Sequence, residues 1–247
     1  MSLTFRTPDW DTYQMDYRNP HKAVEPLQNE IALVADALDV LREAGVLAHT
    51  RYDGAKCLLH RKAVAELFEI PWTAITPRMQ RLIYAINAIA QPANMIAAGC
   101  FCGNTFISNA GAAAGPGACY TARNLIGIEI IPDEAARAER NVRRIDPTGV
   151  ARVVAANAVP YVAEFPEPVN LLYLDADGTD ERGKGVYLDI LRGCCTAMPA
   201  GGIVLAHNSV NCAAALSEYL DFVRDTANFH ASVNIIFDRE GLEVSVK

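Results

Sequence analysis

Met95-Ile-Ala-Ala-Gly99-Cys-Phe-Cys-Gly103-Asn-Thr105 and, further along, Leu125-Ile-Gly-Ile-Glu129-Ile130 are the two stretches whose reading decides the fold. Each begins with a short apolar run without polar alternation, the pattern of a strand buried on both faces. The first run breaks at a glycine. The second ends at a carboxylate and is followed by Pro132-Asp133-Glu134, a helix start. Working outward, residues 152–155, 169–174 and 203–206 are further short apolar runs, and helical patterns cover 186–198 and 213–225. Two strand-like segments, 232–237 and 242–246, close the chain with Arg239-Glu240-Gly241 between them as a hairpin turn. Strands alternating with helices predict an α/β, Rossmann-like three-layer sandwich. Its sheet is expected to be mostly parallel and seven-stranded, with a C-terminal antiparallel hairpin.

Ahead of this region the texture is helical. Ile31, Val34, Ala35, Leu38 and Leu41 recur at helical spacing before Gly45, and residues 63–68 form a second apolar-periodic stretch ended by Pro71. Tyr52-Asp53-Gly54 reads as a turn between them. A third helix starts at Thr76-Pro77, an N-cap with proline at the first helical position, and carries Leu82, Ile83, Ile86 and Ile89. The expected division is a helical cap at 1–85 and an α/β domain at 86–247.

Composition limits the partners. The 247 residues are 51% hydrophobic and carry a net charge of −7, which suits a globular protein and speaks against nucleic acid or anionic lipid as partner. Met1 to Tyr17 has no leader-like apolar core, and the most apolar stretch, 94–115, is too rich in Gly, Ala and Asn to span a bilayer. The seven cysteines, odd in number and without zinc-ligand spacing, read as reduced apolar fillers in a cytoplasmic protein.

In parallel α/β sheets ligands bind beyond the carboxyl ends of the strands, so the residues after each run are the site candidates. Gly99 to Thr105 is a G-x-x-x-G loop in which glycines let a backbone approach a ligand or simply allow a tight turn. Glu129 stands where a carboxylate could accept the two hydroxyls of a ribose. The loop lacks the G-x-G-x-x-G pattern of a dinucleotide pyrophosphate site, so a single nucleoside fits better. Asn157-Ala158 follows the third α/β strand and could meet a base edge. Asp175 and Asp177 follow the fourth, and a carboxylate there needs a cation, an amine or a ligand. His207-Asn208 follows the fifth, where the histidine could serve as a base or, with Asp175, as a metal ligand.

Taken together, Ile-Ala-Ala-Gly-Cys-Phe-Cys-Gly-Asn-Thr, Ile-Gly-Ile-Glu-Ile-Ile-Pro, Leu-Tyr-Leu-Asp-Ala-Asp-Gly and Pro-Ala-Gly-Gly-Ile-Val-Leu-Ala-His-Asn occur in the order of a known family. The chain resembles the class I S-adenosylmethionine (SAM)-dependent methyltransferases, and among them the catechol and caffeoyl-CoA type O-methyltransferases. The resemblance runs from Thr76 to the end of the chain. It implies SAM as cofactor, with Gly99, Cys100, Phe101, Gly103 and Thr105 around its methionine part, Glu129 on the ribose, and Asn157 and Ala158 near the adenine. Asp175 matches an acid shared between cofactor and a divalent cation, and His207 and Asn208 match an Asp-Asn pair that completes the family's metal site. A small-molecule methyl acceptor, usually a hydroxyl, and a homodimer are implied as well.

Three departures stand out. Ala97 replaces an acid, Gly178 replaces the lysine that deprotonates the acceptor, and His207 replaces an aspartate. A set of Asp175, His207 and Asn208 suits Mn, Fe or Zn more than Mg. Either His207 or Lys184 could take over from the missing lysine, giving His207 and Asp175 as candidate catalytic residues. The departures also leave room for a metal-independent N-, S- or carboxyl-methyltransferase, or for a silent subunit with the same fold.

Overall fold

The computed structural model describes residues 3–179 and 181–247, so the cap segment expected from residue 1 is described from residue 3 onward. It opens with a strand the sequence reading did not anticipate, β1 (Leu3–Arg6). Helix α1 (Leu27–Glu43) buries Val34, Ala37, Leu38 and Leu41 along one stripe. It ends where Gly45, at φ 78°, lets the Val46 N–H turn back to the Leu41 carbonyl. Helix α2 (Gly54–Leu67) starts directly from the expected turn, because the Asp53 carboxylate accepts from the Lys56 N–H and caps it. Helix α3 (Pro77–Ala90) has Thr76 as N-cap and Pro77 at its first turn, as expected.

The α/β region then alternates: β2 (Asn94–Ala98), α4 (Asn104–Ala110), β3 (Asn124–Glu129), α5 (Pro132–Ile145), β4 (Ala151–Ala155), α6 (Ala158–Ala163), β5 (Leu171–Leu174), α7 (Val186–Cys195), β6 (Ile203–His207), α8 (Ser217–Arg224), β7 (Ala231–Ile236) and β8 (Leu242–Val246). Helix α8 begins four residues later than its apolar pattern suggests, after a run of turns from Asn208. The strands form one sheet in the order β1-β7-β8-β6-β5-β2-β3-β4. Strand β8 runs antiparallel to both β6 and β7, and every other pairing is parallel. The mostly parallel, three-layer architecture is thus as expected, but the strand count is eight rather than seven. The correction is β1, which adds to the outer edge of β7.

Alternate residues of each central strand feed two cores. Met95, Ala97, Leu125, Tyr173 and Leu205 face the layer that holds α1, α3, α4 and α5. Ile96, Ala98, Ile126, Leu172 and Val204 face α6, α7 and α8. The order of connection reverses between β2 and β5, which are direct neighbours. A crevice opens at the carboxyl ends of strands at such a reversal. Glu129, Asp175 and His207 all lie along that edge.

Candidate functional site

The glycine loop is shaped by its neighbours as well as by any ligand. Gly99 has φ +83°, and a Cβ there would sit 2.5 Å from the Asp175 carbonyl and the Ala176 nitrogen. The glycine therefore lets β2 and the end of β5 come together beneath the crevice. Gly103, at φ +89°, precedes α4, and a Cβ there would press on Ala138 of α5 at 3.2 Å. Gly99→Ala combines a disfavoured φ with a backbone clash. It is expected to destabilise the fold by about 2 kcal/mol or more, read from urea denaturation.

A cavity of about 640 Å³ runs along the carboxyl edge of the sheet. Gly99, Phe101, Thr105, Glu129, Asn157, Ala158, Asp175, His207 and Asn208 all line it, so the structure gathers nine of the eleven candidate residues. Cys100 and Gly103 do not reach it. The Cys100 thiol turns inward to the Ala97 carbonyl at 3.3 Å, and burial pushes its pKa well up. Lys184, a candidate replacement for the missing lysine, also lines the cavity together with Ile130 and Ile131, as do Trp72 and Thr73, which the sequence patterns do not single out. Trp72 packs against Phe101 with ring centroids 5.0 Å apart. An exposed tryptophan preceding a helix cap was the available signal for that wall.

Glu129 is held for binding from above. Its Oε2 accepts from the Phe101 N–H at 2.7 Å and its Oε1 from the Ile131 N–H at 3.0 Å. A carboxylate has about four acceptor positions, so each oxygen keeps one for a ligand hydroxyl. Asn157 caps α6 by accepting from the Val159 N–H, which leaves its amide NH2 for the cavity.

At the other end, Asp175, Lys184 and His207 form one cluster. The Lys184 Nζ donates to the Asp175 carboxylate and to the Asp175 carbonyl, each at 2.9 Å. The His207 Nδ1 lies 3.4 Å from the same carboxylate oxygen. Burial alone would raise the Asp175 carboxyl, but the His207 and Lys184 charges outweigh it and hold the carboxyl low. Burial likewise works against a charged Lys184 and a charged His207, and the Asp175 carboxylate overrides it in both. The glycines around Lys184 do not leave it adrift. The Gly178 N–H donates to the Gly183 carbonyl at 2.9 Å, and the Arg182 guanidinium to Asp189 at 2.6 Å, closing the loop.

The donor set does not fit a divalent metal. Asp175 Oδ1 already meets an ammonium and an imidazole. Among the described residues no group of three or more His, Cys, Asp or Glu side chains is placed to hold a metal ion. A divalent ion and an ammonium some 4 Å apart on one carboxylate would repel by roughly 8 kcal/mol at an effective dielectric of about 20.

Solved structures share this architecture. The methyltransferase PaMTH1 of Podospora anserina, bound to S-adenosylhomocysteine (SAH), superposes with a TM-score of 0.61 at 12% identity, over 92% of this chain and 99% of that one. An O-methyltransferase from Bacillus cereus in complex with SAH gives 0.57 at 14% identity, over 88% and 100%. The O-methyltransferase TomG of Streptomyces achromogenes, in complex with SAM, gives 0.53 at 16% identity, over 80% and 91%. The chain has the Rossmann-like methyltransferase fold. No protein-family model and no curated protein sequence matches it. In the methyltransferase fold of this chain, the acidic end of β3 and the Asp175 cluster are the two chemically distinct ends of a single cavity.

Proposed function

We propose that the protein is a SAM-dependent methyltransferase that moves a methyl group to a small-molecule acceptor, at a hydroxyl oxygen. The observation that carries this reading is Glu129. It is a nearly buried carboxylate fixed by two backbone N–H groups, at the strand end beside the glycine loop, in a cavity of small-molecule size. In this reading Glu129 takes the ribose hydroxyls, Asn157 and Ala158 flank the adenine, and Gly99, Phe101 and Thr105 border the methionine part. Cys100 and Gly103 support it from behind by shaping the loop. SAM supplies an electrophilic methyl group, so the chain's own residues mainly align the acceptor, exclude water and manage its proton.

The acceptor then lies toward Asp175, Lys184 and His207, with Trp72 to Ile75 forming the opposite wall. That wall belongs to the helical segment 1–85, which we assign as a cap over the SAM-binding region 86–247. The seven unpaired cysteines support a cytoplasmic setting. The family resemblance supports a homodimer. No helix among the described residues is long and apolar enough to cross a membrane.

Calorimetric titration with SAM and with SAH tests the reading. Saturable binding of one equivalent per chain is expected, and an absence of heat with both ligands overturns it.

A further inference from the structure

We propose that Lys184 is a built-in cation of this site, standing on Asp175 where a divalent ion would otherwise sit and holding the acceptor as an oxyanion, a phenolate or enolate. The inference rests on the methyl-transfer reading above and deepens it, by naming the form of the acceptor and removing the metal.

The geometry is specific. An ammonium has three N–H bonds, and two of those on Lys184 go to Asp175, at 2.9 Å each. Among the described residues the third meets Asp177, whose carboxylate is 3.3 Å away and 71% exposed. A donor held by a largely enclosed partner, with its last bond facing a weakly placed one, can take an anionic oxygen from the cavity. Lys184 itself is only 12% exposed, so that oxygen would be drawn out of bulk water onto the charge. The loop bonds at Gly178 and Arg182 fix the approach. A divalent ion would have to share Asp175 Oδ1 with Lys184 and His207 or displace the ammonium, since both side chains meet on that one carboxylate oxygen.

The chemistry balances without a further reactant. The acceptor releases its proton to solvent on binding as the anion. Its oxygen then forms a bond to the methyl carbon, while the carbon–sulfur bond breaks and its electron pair stays on sulfur. The negative charge of the acceptor and the positive charge of the sulfonium cancel, and Lys184 keeps its proton throughout.

The test uses the whole protein with SAH and 4-nitrophenol, whose absorbance distinguishes phenol from phenolate. The ionisation midpoint of the bound probe is expected to fall by about one pH unit or more, a roughly tenfold preference for the anion. Lys184→Met should abolish that preference and Lys184→Arg should retain part of it, with SAH binding by both variants as the check that they fold. Mn2+ followed by water-proton relaxation should show no saturable binding up to millimolar concentration. Saturable Mn2+ binding in the micromolar range, or a wild-type protein with no preference for the phenolate, overturns the proposal while leaving SAH binding intact. Loss of SAH binding by the wild type overturns instead the methyl-transfer reading beneath it.

Discussion

Glu129→Ala is expected to weaken SAH binding by two orders of magnitude or more. Two hydroxyl bonds to a carboxylate, each contributing about 1.5–3 kcal/mol, are lost together. The variant also strips the Phe101 and Ile131 N–H groups of their acceptor, so the glycine loop loses the anchor that sets its approach to β3. Glu129→Gln separates the two effects. Its amide has one acceptor oxygen, so it can still hold one backbone N–H while losing charge and one hydroxyl, and an intermediate loss of about tenfold is expected. Calorimetry with SAH reads both variants, and wild-type affinity in Glu129→Ala would remove this residue from the site.

A second large effect concerns acid stability and arises far from the strand ends. His60 on α2 is fully buried, with its ring stacked on Tyr84 at 5.7 Å and its Nδ1 without a partner. Gly111 packs against its ring and Gly117 against its Cβ so closely that neither could carry a Cβ without displacing the histidine. Burial, helped by the Arg61 charge, pushes the His60 pKa down to about 4. The unfolded chain therefore takes up this proton first as pH falls. The corresponding stability is complete above about pH 6.5 and is lost progressively toward pH 4, by about 3 kcal/mol in total. Urea midpoints between pH 7.5 and 4.5 should fall more steeply for the wild type than for His60→Gln. Equal slopes would show that His60 is not the group responsible.

Much of this was legible in the residues, for identifiable reasons. The buried central strands are uninterrupted apolar runs, and a strand covered on both faces has little else it can be. Glu129 was legible because its place at the end of β3 is set by the order of elements alone. Strand β1 was not, since Leu-Thr-Phe-Arg is four residues long and largely exposed, and only the distant partner β7 makes it a strand. Lys184 was visible as a neighbour in sequence, but its seat on Asp175 depends on the Gly178–Gly183 hydrogen bond, which no local pattern encodes. His60 gave no signal either. Its burial results from two glycines in another part of the chain, and a lone histidine on an amphipathic helix carries no mark of that.

The pairing of β1 with β7 has a consequence for how the molecule comes together. Leu3 is opposite Val233, so nearly the whole chain lies between two strands that touch. Such a contact closes a very long loop, and closure of that kind comes late because its entropy cost is lowered only once the contacts between have formed. During synthesis β1 must wait until β7 has left the ribosome, while α1, α2 and α3 already have partners to find. Strand β1 is thus the last of the described strands to join, and it completes the sheet after the edge that carries Glu129, Asp175 and His207 has been assembled.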